Sequence, residues 1–335
     1  MAQDEGLVRE SLDTLLQDRG GVDLPLEEGP LAVISDLHMG NGGWADNFHG
    51  NQAAVVAALG YYRREGRRVV LLGDIEELWQ FSQSEISAAR TDVYSVMRSL
   101  SSGGLLRIWG NHDDHWASKG TEDPCGAPTA CEALRVRTPR RRMLMVHGHQ
   151  GTIESDVISG LSRMLVRAFR YVEGPWILLS KALRMYRRPS TMTRIGRDYE
   201  RVMYRWARDR DVVLVCGHTH RAVFASRSHA ERLRSHIDHL RGLLSQVPPR
   251  APEAEEMRLE LRRTVRELRH ERSQRRDLPP VGSRPRPLYY NCGCALYRQG
   301  MTALEIGPDE FRLVKWSADS LGREVYHRSP LDRIL

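Results

Sequence analysis

Five short apolar runs in this chain are each followed closely by Asp, His or Asn. The runs cover residues 31–34, 69–72, 105–109, 143–146 and 212–215. Short runs that are apolar throughout and bounded by polar residues are typical of strands buried on both faces of a sheet. In such sheets, functional side chains gather at the carboxyl ends of the strands. The pattern therefore predicts a site built where five strands end.

The first three runs are separated by helix-like segments, for example residues 52–65 with their Ala and Val face. Strand–helix–strand units predict an α/β fold, which some schemes would call α+β. A chain of 335 residues exceeds the usual size of a single domain. We therefore expect one catalytic domain with sizeable insertions.

The remaining segments differ in pattern from the five strand runs. Apolar residues at helical spacing predict a short N-terminal helix outside the core sheet, ending at Gly20 and Gly21. A highly charged segment carries two stripes of apolar residues at helical spacing, and a proline-rich stretch separates them. This pattern predicts an antiparallel helical hairpin. The predicted boundaries are 1–30 for the N-terminal extension, 31–152 for the first part of the core, 153–210 for a helical cap, 211–225 for a further core strand, 226–286 for the charged hairpin and 287–335 for closing strands.

Composition narrows the class of protein. No apolar run approaches the roughly 20 residues needed to span a bilayer, and the N-terminus lacks the basic and apolar regions of a secretory signal. We expect a cytoplasmic protein, with peripheral attachment to a membrane as an alternative. The five cysteines lack the spacing of a zinc site, so we expect them to be reduced. The net charge of +7 favours anionic partners.

The polar residues at the strand ends have the chemistry of metal ligands. Carboxylate, imidazole and amide donors together suit Mn²⁺, Fe or Zn²⁺. Alternate residues that leave a strand can point into one crevice, and neighbouring glycines permit the tight turns this requires. The candidates are Asp36, His38, Asp74, Asn111, His112, Asp113, His147, His149, His218 and His220.

These candidates form five blocks, at residues 36–38, 73–74, 110–113, 147–149 and 217–220. In this order the blocks resemble the signature of the calcineurin-like metallophosphoesterase superfamily over residues 31 to about 225. The resemblance implies a two-sheet αββα sandwich, here with a helical cap and a charged helical-hairpin insertion. It also implies a ligand for every position of a dinuclear centre. Asp36, His38 and His220 would hold the first metal, Asn111, His147 and His218 the second, and Asp74 would bridge both.

The same resemblance implies a mechanism. Two divalent cations would activate a water as the hydroxide that cleaves a phosphoester or pyrophosphate bond. We expect Mn²⁺, with Fe or Zn²⁺ as alternatives. His112 would be the general acid that protonates the leaving oxygen, and Asp113 would orient it.

One branch of the superfamily is similar in further detail. The block from Gly73 to Trp79, with Glu77 three residues after Asp74, resembles the UDP-2,3-diacylglucosamine hydrolases, as do the cap and the segment from Asn291 to Gly293. Those enzymes typically carry Arg where this chain has His112. The block 111–113 is closer to general phosphodiesterases and phosphatases.

Three features have competing interpretations. The cap arginines Arg163, Arg167 and Arg170 would line one helix face that could grip a phosphate, or would form an ordinary solvated face. His149 would face substrate, or would be a hydrogen-bonded histidine beside the ligands. The hairpin 226–286 could be a solvated arm, a contact between copies in a homo-oligomer, or an attachment to nucleic acid or a membrane.

Three functions remain open on the sequence alone. The first is hydrolysis of a phosphorylated small molecule or a lipid-linked substrate, such as a nucleotide-linked or lipid-linked pyrophosphate. The second is a Ser/Thr protein phosphatase, or a nuclease or cyclic nucleotide phosphodiesterase, with nucleic acid as a less favoured partner. The third is a catalytically silent binding scaffold. The complete ligand set and the retained candidate acid favour an enzyme over the scaffold.

Overall fold

Successive residues of the buried strands face two different hydrophobic layers. In the computed structural model, Leu31 and Val33 pack in one layer, whereas Ala32 and Ile34 pack in the other. This follows from the two-residue period of a strand, and it requires both faces of the sheet to be covered. The structure describes residues 2–17, 22–100, 104–114, 123–128, 130–138, 141–150, 194–244, 252–274, 286–297 and 300–335.

Within those residues, fourteen strands form two seven-stranded sheets. The strands are β1 Val22–Pro25, β2 Leu31–Ile34, β3 Arg68–Leu72, β4 Leu105–Ile108, β5 Ala130–Cys131, β6 Ala133–Arg137, β7 Met143–Val146, β8 Val213–Cys216, β9 Ala222–Phe224, β10 Arg227–Ser228, β11 Tyr289–Cys292, β12 Gly300–Ile306, β13 Glu310–Ser317 and β14 Arg323–Pro330. The first sheet has the order β14-β13-β12-β2-β3-β4-β5, and the second has the order β1-β6-β7-β8-β11-β9-β10.

Several of the described helices pack on the two sheets. The described helices are α1 Ala2–Gln17, α2 Gln52–Arg64, α3 Gln83–Ala89, α4 Thr91–Arg98, α5 Arg194–Arg210, α6 His229–Leu244 and α7 Pro252–Gln274. α2 and α4 pack on the first sheet, and α1 and α5 join the hydrophobic layer of the second. This arrangement is the predicted αββα sandwich. Among the described helices, none combines the length and apolarity needed to cross a bilayer.

All five apolar runs form the predicted strands, and their directions place the candidate ligands together. β2, β3 and β4 pair in parallel in the first sheet. β7 and β8 pair in parallel in the second. Within each sheet the carboxyl ends of these strands therefore lie at one edge, and the His218 N–H, which donates to Asp36 Oδ2 at 3.0 Å, joins the two edges. Every candidate ligand follows a strand at these edges.

The N-terminal segment is more deeply integrated than predicted. α1 contributes Val8 and Leu12 to the hydrophobic layer, and β1 extends the second sheet by pairing with β6. The expectation of a helix outside the core sheet therefore missed a strand. That strand has only four residues and none of the apolar pattern of the five central runs.

The two insertions are described to different extents. α6 and α7 contact each other within the predicted hairpin, through a small cluster that includes Leu233, Ile237 and Leu268. Of the predicted cap, residues 194–210 form α5. Residues 153–193 lie outside the described residues, and so do Arg163, Arg167 and Arg170.

Candidate metal centre

The backbone at the strand ends adopts an unusual conformation. Five of the seven predicted ligands have positive φ, namely Asp36 (54°), His38 (47°), Asp74 (53°), His218 (63°) and His220 (55°). A left-handed conformation costs a non-glycine residue roughly 1–3 kcal/mol, so it persists where surrounding contacts enforce it. Such strain concentrates at functional sites. Its recurrence at three separate strand ends indicates that these loops are shaped to bring side chains together.

A first group of donors comprises Asp36, His38 and His220. His220 Nε2 lies 3.1 Å from Asp36 Oδ1 and 3.0 Å from His38 Nε2. The three donor atoms all lie within 4.8 Å of one another. Atoms that bind one ion at about 2.0–2.2 Å lie roughly 3 Å apart, so this group is spaced to hold a cation.

A second group comprises Asp74, His147 and His218, whose donor atoms again lie within 4.8 Å of one another. His147 Nε2 lies 3.1 Å from Asp74 Oδ2. The same carboxylate oxygen lies 3.6 Å from His38 Nε2 of the first group. Asp74 therefore lies between the two groups, at the position of a bridging ligand.

Asn111 supplies a further donor atom. Its Oδ1 is buried and accepts no hydrogen bond from the described part of the chain. A buried amide oxygen without a donor is costly unless an ion or water satisfies it. The neighbouring backbone is fixed beside Asp74, because the His112 N–H donates to Asp74 Oδ1 at 2.9 Å. The orphaned oxygen and the mixed imidazole and carboxylate donors both fit a divalent cation.

Hydrogen bonds behind the ligands set which imidazole nitrogen is available. His147 Nδ1 donates to the Leu72 carbonyl at 2.8 Å, which leaves Nε2 facing Asp74. His38 Nδ1 lies 2.8 Å from Glu77 Oε2, which leaves its Nε2 facing the first group. Metal-binding histidines typically use their second nitrogen in this way, and the bond fixes both tautomer and ring orientation.

Comparison with known proteins agrees with this geometry. The family model described as calcineurin-like phosphoesterase matches residues 29–222, which is more than half of the chain. The chain belongs to the calcineurin-like phosphoesterase family. The matched segment contains all seven candidate ligands, and members of this family depend on a dinuclear metal centre.

Two solved structures are similar to this chain at low sequence identity. A dimetal phosphatase from Danio rerio is 11% identical, with 90% of this chain and 99% of that chain covered and a TM-score of 0.43. Vacuolar protein sorting 29 from Cryptosporidium parvum is 12% identical, with 90% and 97% covered and a TM-score of 0.36. No curated protein matches the chain significantly in sequence.

Burial and opposite charges set the protonation of this phosphoesterase's ligands. Burial alone would raise the pKa of Asp74, but His147 and His112 hold it well below its usual range. Burial alone would lower the pKa of His147, but Asp74 and Asp36 raise it to about 9. His218 behaves oppositely, because burial and the nearby His147 lower its pKa to about 3. Carboxylates therefore remain ionised in the centre, as metal binding requires.

The candidate acid His112 is oriented by a different residue from the one predicted. Its Nδ1 lies 2.8 Å from Glu77 Oε1, and its ring stacks on Trp79 with centroids 4.0 Å apart. Burial would lower the pKa of His112, but Glu77 and Asp74 raise it. A third compact donor group consists of Glu77, His38 and His112. The two imidazoles lie close together because each is hydrogen-bonded to the Glu77 carboxylate.

The prediction that Asp113 orients His112 is wrong. Both oxygens of the buried Asp113 carboxylate point into the loops instead. Oδ1 accepts from the Gly110 N–H at 2.6 Å, and Oδ2 accepts from the Ile75 N–H at 2.7 Å. Adjacent residues in this turn face opposite ways, so Asp113 joins the loops after β3 and β4 while His112 faces the centre.

The buried guanidinium of Arg107 supports Asp113 from behind. Arg107 Nη2 lies 3.1 Å from Asp113 Oδ2 and also pairs with Glu76, while Nη1 donates to Asp123 at 2.7 Å. Burial raises the pKa of Asp113 and Glu76, and Arg107 opposes that rise. This network holds the loops that carry Asp74 and Asn111.

His149 lies beside the second donor group. Its ring centroid is 5.5 Å from that of His147 and 6.4 Å from that of His218. Burial and the charge on His147 lower the pKa of His149 to about 3, which favours a neutral imidazole. Its predicted contact with substrate remains a prediction.

Proposed function

We propose that this phosphoesterase hydrolyses a phosphoester or pyrophosphate bond at a dinuclear centre. Asp36, His38 and His220 would hold one cation, and Asn111, His147 and His218 would hold the other. The single observation that carries this proposal is the position of Asp74 Oδ2. It lies 3.6 Å from a nitrogen of the first donor group and 3.1 Å from a nitrogen of the second.

When bound, two divalent cations lower the pKa of water and neutralise charge that builds up on phosphoryl oxygens. The donor set accepts several ions, and we propose Mn²⁺, with Fe or Zn²⁺ as alternatives. The contribution of the chain is to fix the ligands before substrate arrives. The hydrogen bonds of His38 to Glu77 and of His147 to Leu72 accomplish this.

We propose that His112 protonates the leaving oxygen. Its side chain is about one-fifth exposed, so it is accessible from outside, whereas its Nδ1 is committed to Glu77. The opposite ring nitrogen, Nε2, is then the atom that would carry the transferred proton. Glu77 would stabilise the positive imidazolium before transfer, and stacking on Trp79 would restrict its rotation. A general acid of this kind typically contributes about 10²–10⁴-fold to the rate.

We further propose a nucleotide-linked or lipid-linked pyrophosphate as the substrate. The block from Gly73 to Trp79, which resembles the diacylglucosamine hydrolases, supplies both residues that hold His112. The net charge of +7 suits a substrate with several negative charges. A nuclease, a cyclic nucleotide phosphodiesterase and a protein phosphatase are the competing activities, and a substrate panel separates them.

The panel should contain nucleotide diphosphate sugars with and without acyl chains, a cyclic nucleotide, a phosphopeptide, single-stranded DNA and an aryl phosphodiester, each with Mn²⁺. We expect hydrolysis of the pyrophosphates, with loss of activity in Asp74→Asn. A folded, metal-loaded protein that is inactive on every substrate would contradict the proposed function. Preferential cleavage of DNA, with a steep dependence on salt, would instead support the nuclease.

A further inference from the structure

The loop that carries two candidate ligands is held in an unfavourable backbone conformation. His218 and His220 both have positive φ, 63° and 55°, and Thr219 lies between them. Because each histidine belongs to a different donor group, this three-residue loop reaches both halves of the centre. The backbone at Thr219 therefore links the two imidazoles.

Three side chains outside the loop hold its backbone. The His218 N–H donates to Asp36 Oδ2 at 3.0 Å. Asn291 Nδ2 donates to the Gly217 carbonyl at 2.5 Å, and the Tyr297 hydroxyl donates to the His220 carbonyl at 2.7 Å. These bonds fix the two ends of the loop. The hydroxyl of the central residue, Thr219, also accepts a bond from Asn291 Nδ2 at 3.2 Å, and it donates its own proton to a further partner.

That partner is Glu200 of α5. The Thr219 hydroxyl donates to Glu200 Oε1 at 2.8 Å, and Arg221 Nη1 donates to Glu200 Oε2 at 2.7 Å. Glu200, Thr219 and Arg221 are 7%, 8% and 6% exposed, so the bonds are shielded from water. One buried carboxylate thus binds the residue between the two histidines and the residue after them.

α5 is itself fixed on both sides. On its outer side, Trp206 Nε1 donates to Asp13 of α1 at 2.9 Å. On its inner side, the Tyr199 hydroxyl donates to the Gln150 carbonyl at 2.5 Å, and the Tyr199 ring lies 6.2 Å from that of His218. The helix therefore also contacts the loop that follows β7, which carries His147.

We propose that Glu200 is a positioning residue of the metal centre, acting through Thr219 and Arg221 on His218 and His220. The proposal rests on the proposed function only in that these histidines bind metal. Glu200 does not contact the centre itself. It makes α5, the described part of the predicted cap, a structural support of the ligands in both halves of the site.

The test is Mn²⁺ binding to Glu200→Gln by isothermal titration calorimetry, with the absorption spectrum of the Co²⁺-substituted protein as a second readout. Removing a residue that supports metal ligands typically weakens metal binding 10–100-fold. We expect a loss of that order and a changed Co²⁺ spectrum. Glu305→Gln is the matched control, because Glu305 is a buried carboxylate paired with Arg323 and lies beside Ala32, at the opposite end of β2 from Asp36.

Thr219→Val provides a second variant if Glu200→Gln does not fold. It removes the hydroxyl, and with it the bonds to Glu200 and Asn291, but keeps the pair between Glu200 and Arg221. We expect weaker Mn²⁺ binding with a normal thermal transition. If Glu200 acts through Thr219, the two effects will not add in the double variant. Wild-type Mn²⁺ affinity and Co²⁺ spectrum in both folded variants would overturn the proposal.

These measurements are independent of turnover. A wild-type protein that binds Mn²⁺ tightly but hydrolyses no substrate would contradict the proposed function and leave the role of Glu200 intact. A wild-type protein that binds none of Mn²⁺, Fe²⁺, Zn²⁺ and Co²⁺ would overturn both.

Discussion

Glu77 and His112 are joined by a 2.8 Å hydrogen bond between Oε1 and Nδ1. The other oxygen of Glu77 lies 2.8 Å from His38 Nδ1. Burial would raise the pKa of Glu77, but His112 and His38 lower it to about 2, so the carboxylate stays charged. One carboxylate thus orients both the candidate acid and a candidate metal ligand.

Replacing Glu77 should therefore slow turnover in a way that depends on the leaving group. In Glu77→Gln, His112 loses a charged partner, so kcat for an alkyl phosphoester should fall by about 10²-fold or more. The fall should be much smaller for 4-nitrophenyl esters, whose leaving group needs no proton. Steady-state kinetics on the two esters measures the difference.

His112→Ala is the matched control for this prediction and should show the same selectivity. The metal content of both variants must be measured alongside, because Glu77 also contacts His38. An equal loss on both esters in Glu77→Gln would indicate that Glu77 acts through metal binding alone.

Arg107 should be a major contributor to stability. Its side chain is 1% exposed and faces Glu76, Asp113 and Asp123. Arg107→Met leaves these carboxylates without their cation, and breaking a buried pair in this way costs about 3–5 kcal/mol. Urea denaturation measures the free energy of unfolding. Arg312→Met, in a partly exposed pair with Glu310, should change it by no more than about 0.5 kcal/mol. Similar values for the two variants would contradict the prediction.

The sequence was sufficient to locate the strands that carry the site. All four residues of β2 and of β8 are buried, so these strands appear as uninterrupted apolar runs. The runs alone could not assign strands to one sheet or the other. β2 and β8 have the same pattern because both faces of each are covered, and pairing depends on contacts between distant residues.

The residues that support the ligands were harder to predict. The family resemblance suggested Asp113, the residue after His112, as the group that orients it, yet the turn directs Asp113 towards Gly110. Glu77 did carry a signal, three residues after Asp74. Glu200 carried none, because a charged residue on an amphipathic helix is usually solvated and its partner Thr219 is distant in sequence.

Gly217 should not tolerate a side chain. A Cβ at this position would overlap Ser35 Oγ and Asp36 Oδ2. Overpacking of this kind typically costs about 1–3 kcal/mol, and Asp36 would have to move away from the first donor group. Gly217→Ala should therefore lower both the stability and the Mn²⁺ affinity, measured by urea denaturation and calorimetry.

Gly60→Ala is the matched control for Gly217→Ala. Gly60 lies within α2, and a Cβ there would meet only Arg64 Nη1 at 3.6 Å. Alanine in a helix interior is favoured over glycine by roughly 0.5–1 kcal/mol, so this variant should be more stable and bind Mn²⁺ normally. Unchanged Mn²⁺ affinity in Gly217→Ala would show that Asp36 can move without loss.

Metal binding should stabilise the folded protein through Asp74. A ligand that binds only the native state adds about 2.7 kcal/mol at one hundred times its dissociation constant, so Mn²⁺ should raise Tm and EDTA should reverse the rise. Asp74→Asn removes the charge that lies between the two donor groups, and the rise should be largely lost. Asp23→Asn, on the edge strand β1, should keep it. Differential scanning calorimetry measures Tm with and without Mn²⁺. An equal rise in Tm in Asp74→Asn and the wild type would mean that Mn²⁺ binds elsewhere.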